Sequence, residues 1–278
     1  MTLRILLHRM SAVVGIAILA FVALVALLSP VISPSDPFKI APAESLSPPS
    51  LDHPFGTDQY GRDVLSRAMV GARLSLITGL GAIVIALITG VALGLASGLL
   101  GGWVDLLLMR LIDIMMAFPS VLLALVVVAV LGQGTMNVMV AVGVSLIPTF
   151  VRLVRGDVLT VKDNEYVEAA RALGCGRGRL ALRYVLPNVL APIIVLATVA
   201  TAWSIILGAS LSFLGLGPRP PTPEWGIDLS NGRSYLLRAW WISSAPGFCI
   251  MLTVVALNLV GDTVRDVLDP RLRSLANL

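Results

Sequence analysis

The chain has 278 residues, 57% of them hydrophobic and only 13% charged, and its formal net charge is +4. Soluble domains carry about a quarter of charged residues, so this composition argues against a water-soluble protein and predicts one whose main solvent is lipid. Two cysteines, Cys175 and Cys249, and two histidines, His8 and His53, are too few for a disulfide framework or a histidine-rich metal site.

Six stretches with few or no charges are long enough to cross the hydrocarbon core of a membrane. The first is read as an uncleaved anchor, because its apolar part is longer than the core of a secretory signal peptide. No charge occurs between Asp113 and Arg152, a run too long for one helix, and turn residues at 132–135 divide it. The predicted spans cover residues 10–32, 74–100, 106–131, 136–154, 184–214 and 239–261.

An even number of spans places both termini on the same side of the membrane. If that side is cytoplasmic, the cytoplasmic segments carry 13 of the 20 basic residues and the outer segments carry 7, in line with the positive-inside rule. The first helix and a proline-rich outer segment then form one unit, residues 1–72. Five helices form a core, residues 73–278, with a cytoplasmic loop at 152–185. Within the third span, Arg110 and Asp113 are predicted to pair, because an unpaired charge in lipid is costly.

The polar loop between the fourth and fifth spans is rich in helix formers and ends in three closely spaced glycines. We predict a helix over residues 160–173, ended by Gly174, and a second short basic helix over residues 179–185. The apolar residues of the first helix are predicted to share one face: Val161, Tyr166, Ala169, Ala170 and Leu173. The result is a short, rigid helix lying across the membrane surface.

The spacing within this loop is specific. Glu168-Ala169-Ala170 is followed after three residues by Gly174 and after nine more by Tyr184, with Leu186 and Pro187 closing the segment. This arrangement resembles the EAA loop of ABC-importer permeases, which docks onto the ATP-hydrolysing subunit; Tyr184 stands where that pattern often has isoleucine. The resemblance implies that the ATPase-coupling residues here are Glu165, Tyr166, Glu168, Ala169, Ala170, Arg171, Leu173, Gly174, Leu186 and Pro187.

Three further segments, at 53–67, 71–76 and 212–226, resemble the dipeptide/oligopeptide/nickel family of ABC-importer permeases, and in particular its second, C-type subunit. The resemblance implies an all-α, polytopic, type I importer fold with six transmembrane helices in the bacterial cytoplasmic (inner) membrane, both termini cytoplasmic. Expected partners are a homologous permease forming a heterodimer, two ATP-binding subunits and an extracytoplasmic solute-binding protein. Gly208 stands where relatives commonly carry glutamate, which weakens any transfer of substrate preference.

The chain has no Gly-x-x-x-x-Gly-Lys-Ser/Thr phosphate loop. We therefore expect it not to be an enzyme and to bind no cofactor, with ATP and Mg²⁺ held by the partner subunits, and we expect no nucleic-acid partner. Peptides are the expected cargo, with nickel and glutathione as alternatives. Two alternatives come from other classes of membrane protein. One is a self-sufficient secondary transporter or channel, and the other is a non-transporting scaffold. Those transporters often have acidic relays in their spans, whereas the spans here are almost free of charge.

The polar residues Asp58, Arg62 and Asp63 precede the second span. Two interpretations are open. They cap and pair an interfacial helix, or they contact substrate or a binding protein on the extracytoplasmic face.

Overall fold

The structure is a computed structural model and describes residues 10–268. Arg4, Arg9, Arg271 and Arg273, which contribute to the predicted charge bias, and both chain termini lie outside the described residues. The longer helices are α1 (Met10–Ile32), α2 (Val64–Leu100), α3 (Gly102–Met116), α4 (Ser120–Leu131), α5 (Thr135–Val161), α6 (Glu165–Ala172), α7 (Arg177–Phe213), α8 (Trp225–Gly232) and α9 (Trp241–Leu268).

Five of these helices, α1, α2, α5, α7 and α9, are long and apolar enough to cross a membrane, and the bent pair α3–α4 makes a sixth when it is counted as one span. The predicted all-α, six-span architecture is thus confirmed. The predicted third span, 106–131, is not one straight helix, because α3 and α4 meet at an angle of 96°. Pro119 stands at the start of α4, and a proline disfavours helical backbone at the residue before it, here Phe118.

The centre of the bundle is the contact between α2 and α5, which run parallel. A Cβ added at Gly90 would lie 2.4 Å from Phe150 Cβ, and one added at Gly94 would lie 2.6 Å from Val154 Cβ. From the other side, a Cβ at Gly143 would lie 2.9 Å from the Ala82 carbonyl oxygen. In lipid, helices gain no hydrophobic driving force from each other, so close backbone approach at small residues supplies the packing energy.

Residues 33–63 and 214–240 together form a cap over one end of the bundle; α6 lies at the opposite end. Arg67, near the start of α2, joins the two parts of the cap. Its guanidinium donates to Asp228 Oδ1 (3.1 Å from Nε, 2.5 Å from Nη2) and to the carbonyls of Pro37 (3.2 Å) and Pro221 (3.1 Å). Because one buried side chain contacts all of these segments, the cap and the start of α2 form one unit. Position 72, where the sequence was divided, lies inside α2.

Candidate coupling surface

The coupling loop begins with a break between α5 and α6. The backbone of Asn164 is extended, and its carbonyl accepts from the amides of Val167 (2.9 Å) and Glu168 (3.1 Å). Glu165 and Glu168 occupy the first turn of α6, where a negative charge is stabilised by the helix dipole. The predicted helix over 160–173 is therefore two elements, with α5 ending at Val161 and α6 starting at Glu165.

The end of α6 is closed by a Schellman motif. The amide of Cys175 donates to the Ala170 carbonyl (3.1 Å) and the amide of Gly174 donates to the Arg171 carbonyl (3.0 Å). This motif needs a left-handed residue, and Gly174 has φ +81°. Nothing lies within 4 Å of a Cβ built at Gly174. The glycine is therefore required by the backbone conformation and not by lack of space.

One face of α6 is anchored in the bundle. Val167 and Ala170 are buried in a cluster with residues of α2, α5 and α7, among them Leu95, Val158 and Val189. Burying two apolar side chains of an eight-residue helix compensates for its low intrinsic stability, because isolated helices of this length are marginal in water. Through this cluster α6 packs against three spans at once.

The opposite face of α6 is exposed, and the predicted grouping of its apolar residues was wrong. Tyr166 and Leu173 are 42% and 88% exposed, while Ala170 lies in the buried face. Glu165, Glu168, Ala169 and Arg171 are exposed as well. We call the residues Glu165, Tyr166, Glu168, Ala169 and Leu173 the outer face of α6. The outer face of α6 thus presents two large apolar side chains, Tyr166 and Leu173, among charged ones.

Leu186 and Pro187 lie in α7, after the loop, and do not belong to the outer face of α6. Leu186 packs against the buried cluster beneath α6. Its amide donates to the Ala181 carbonyl, so α7 has a π-helical turn over Leu180–Val185. Pro187 lacks an N–H and cannot continue the α-helical ladder at that point, which accounts for the wider turn. These two residues position α6 and the start of α7, whereas the outer face of α6 is formed by other residues.

Ion pairs hold α3 against α5 close to α6. Arg155 donates to Asp105 twice, from Nε at 2.6 Å and from Nη2 at 2.7 Å, and Ser97 of α2 donates to the same carboxylate. Asp113 pairs with Arg152 of α5 at 2.7 Å, which corrects the predicted pairing with Arg110. Asp113 lies within α3, before the bend, and faces α5 there. Asp105 and Arg155 lie one residue outside the predicted spans 106–131 and 136–154, so no signal in the sequence indicated that they pair.

The cap holds the three polar residues that precede α2, and all of them are buried. Asp58 accepts from Arg62 Nε at 2.6 Å, and Asp63 caps α2 by accepting from the Ser66 amide at 2.7 Å. His53 Nδ1 lies 2.9 Å from Asp63 Oδ1, and this hydrogen bond raises the pKa of His53 above its ordinary value. The carboxylates of Asp58 and Asp63 are fully engaged within the chain.

The sequence matches two family descriptions. Residues 90–274 match the binding-protein-dependent transport system inner membrane component. Residues 1–49 match the N-terminal transmembrane domain of oligopeptide transport permease C. The first match spans the bundle from mid-α2 to beyond α9, including all of α6.

The chain belongs to the family of binding-protein-dependent transport system inner membrane components.

Relatives align with this chain over most of its length. The chain is 44% identical to a dipeptide transport system permease protein of Alkalihalophilus pseudofirmus, over 95% of this chain and 86% of the relative. It is 45% identical to a di/tripeptide transport system permease protein of Pseudomonas aeruginosa, over 97% and 91% of the two chains. A glutathione transport system permease protein of Pectobacterium atrosepticum is 45% identical over 81% of this chain and 75% of its own.

The resemblance to C-type importer permeases drawn from the sequence is thereby confirmed. The permease is a multi-pass membrane protein with the type I importer fold, and it is one component of a transport system that contains other subunits. The family is one of transport components.

Proposed function

We propose that this permease forms half of the translocation path of an ATP-driven importer of di- or oligopeptides in a bacterial inner membrane. The other half is a homologous permease. The observation that carries the proposal is the outer face of α6, which is exposed while the helix itself is anchored in the bundle through Val167 and Ala170. Such a surface fits a groove on an ATP-binding subunit, and that subunit supplies both ATP and Mg²⁺.

Coupling follows from how α6 is anchored. Two ATP-binding subunits that close on ATP displace the two coupling helices they hold. Because α6 packs on α2, α5 and α7 in a single apolar cluster, displacement of α6 moves these spans together and not one by one. The coupling residues proposed from the sequence thus have two tasks. Tyr166, Glu168 and Leu173 contact the ATPase subunit, while Ala170, Gly174 and Leu186 set the position of α6.

The proposed function requires that α6 and both termini lie in the cytoplasm and that the cap lies outside the membrane on the other side. The bias of basic residues toward the α6 side supports it. We expect a cysteine replacing Leu51, fully exposed in the cap, to react with an impermeant thiol reagent in intact cells. A cysteine replacing Leu173, 88% exposed on α6, should react only after permeabilisation. The reverse labelling would overturn the orientation.

Peptides are the proposed cargo because relatives along almost the whole chain are named as dipeptide and di/tripeptide permeases. Glutathione, itself a tripeptide, is the second candidate, on the strength of the glutathione-named relative. No acidic side chain stands at Gly208, which lies buried in α7 opposite Thr78. The cargo preference therefore rests on the relatives and not on a binding residue of this chain.

The proposed function is tested by uptake into proteoliposomes that contain the complete complex. We expect labelled dialanine to accumulate only when ATP and the solute-binding protein are both present, and we expect excess unlabelled dipeptide to compete. Competition by glutathione alone would favour the second candidate. Uptake that persists without the ATP-binding subunits, driven by an ion gradient, would instead identify a secondary transporter and contradict the proposal.

A further inference from the structure

The cap contains a groove that the proposed function does not use. Its volume is about 300 Å³, and it lies between the two parts of the cap, with Ile40, Tyr60, Arg62, Arg67, Pro221 and Asn231 among its walls. Two guanidinium groups line it, and no carboxylate does. The neighbouring carboxylates, Asp58 and Asp228, line a separate small cavity behind it.

The two arginines of the groove differ in what they have left to donate. Arg67 is engaged at Nε, Nη1 and Nη2 by Asp228 and by two carbonyls. Arg62 donates only through Nε, to Asp58 at 2.6 Å. Within the described residues, Nη1 and Nη2 of Arg62 have no acceptor. Yet the Arg62 side chain is only 5% exposed, and its guanidinium carbon lies 4.7 Å from the centroid of the Tyr60 ring.

This arrangement fixes a charged donor group in place with its far edge free. The ion pair with Asp58 and the stacking on Tyr60 restrain the guanidinium plane, so little side-chain entropy remains to be lost on binding. Nη1 and Nη2 of Arg62 are not among the enclosed polar atoms that lack a partner, so both are open to an acceptor that enters the groove. A carboxylate is the acceptor that matches two parallel N–H groups, because it accepts both at once.

Two basic residues adjoin the groove in the sequence, and we call them its rim. Lys39 and Arg219 are exposed, and each is the sequence neighbour of a wall residue, Ile40 and Pro220 respectively. Arg62 and Arg67 are balanced by Asp58 and Asp228, so the two rim residues add positive charge to an otherwise neutral site. Such a rim attracts an acidic group and makes its binding dependent on ionic strength.

We propose that the groove binds a carboxylate side chain of the solute-binding protein, held end-on by Nη1 and Nη2 of Arg62. The site is built from cap segments beyond the ends of the spans, where a protein partner has access. The inference rests on the proposed function, since it takes the cap as the surface on which that partner docks. One edge of the Arg62 guanidinium thus binds Asp58 within the cap, and the other edge binds the partner's carboxylate.

The test measures binding of the purified solute-binding protein to the complete complex in nanodiscs, at low and physiological ionic strength. Arg62→Lys keeps the charge and the contact with Asp58 but loses the planar fork. We expect its Kd to rise about tenfold, the size of one lost charge-assisted hydrogen bond, and its salt dependence to stay the same, because the charge at position 62 and the charges of Lys39 and Arg219 are retained. Arg238→Lys, the same change at an exposed cap arginine away from the groove, should bind as the unmodified complex does.

A second variant shows whether weaker binding by Arg62→Lys comes from the lost contact or from misfolding. Thr222→Asp places a carboxylate on the groove wall, where it competes for Arg62 without removing the pair with Asp58. It should weaken binding to a similar extent, with an unchanged thermal unfolding midpoint. Unchanged affinity in both Arg62→Lys and Thr222→Asp would overturn the proposal.

Two further outcomes identify other causes. If the groove holds the carboxylate of the cargo, Arg62→Lys will lose the preference for dialanine over its C-terminal amide in uptake while binding the solute-binding protein normally, and the proposed partner is wrong. If the unmodified complex binds no solute-binding protein at all, the proposed function fails, and this partner fails with it.

Discussion

A leucine-to-aspartate change at position 173 is expected to abolish ATP-driven uptake by the complete transporter. Leu173 is 88% exposed on the outer face of α6, so the change leaves the bundle intact. In the complex, the same side chain would be buried against the ATPase subunit, and an unpaired carboxylate there is strongly unfavourable. A loss of about 2–4 kcal/mol, as for an interface hot spot, weakens association by roughly 30-fold or more.

The measurement combines dialanine uptake in proteoliposomes with retention of the ATPase subunit during affinity purification. Leu51→Asp is the matched control, because Leu51 is fully exposed in the cap and the chemical change is identical. Both variants should reach the membrane in normal amounts. Normal uptake by Leu173→Asp, with the ATPase subunit still attached, would remove the outer face of α6 from the coupling mechanism.

Replacing Gly90 with leucine is expected to prevent stable packing of the bundle. Even a Cβ at this position would lie 2.4 Å from Phe150 Cβ, which is held in the core and cannot swing aside. Overpacking of a well-packed core costs about 1–3 kcal/mol or more, and here α2 and α5 must separate along the main contact of the protein. We expect little folded permease in the membrane and a lowered unfolding midpoint in detergent.

Gly156→Leu is the matched control for this change. Gly156 lies on α5 as well, but nothing lies within 4 Å of a Cβ added there. This variant should accumulate and unfold as the unmodified protein does. Combining Gly90→Leu with Phe150→Ala should recover part of the lost stability, because the smaller side chain makes room. Equal stability of the Gly90 and Gly156 variants would show that close approach of α2 and α5 is not required.

The helix positions in the chain were predictable because a span must satisfy every backbone hydrogen bond internally and present apolar side chains to lipid. Residues 10–32 and most of α2, α5 and α7 were placed in the membrane from the length of their apolar stretches alone. The coupling loop was predictable for another reason. Its motif lies within one continuous segment, so Glu168, Ala169 and Gly174 can be identified without knowing which residues pack against them.

The faces of α6 were not predictable in the same way. Tyr166, Val167, Ala169, Ala170 and Leu173 are all apolar enough to be buried, and an eight-residue helix has too few turns for periodicity to choose among them. The choice was made by the cluster of α2, α5 and α7 residues that receives Val167 and Ala170. That cluster assembles segments up to about a hundred residues apart in the chain.

The sequence by itself determined which segments enter the membrane, where the loop motif lies and which family the chain resembles, because these depend on local composition and spacing. Only the tertiary structure decided the partners of individual charges. Asp113 pairs with Arg152 and not Arg110, and Arg62 uses one edge of its guanidinium on Asp58 while its other edge faces a groove. Electrostatic partners are chosen by distance in space, and the packing of α3 against α5 and the folding of the cap onto α2 set those distances.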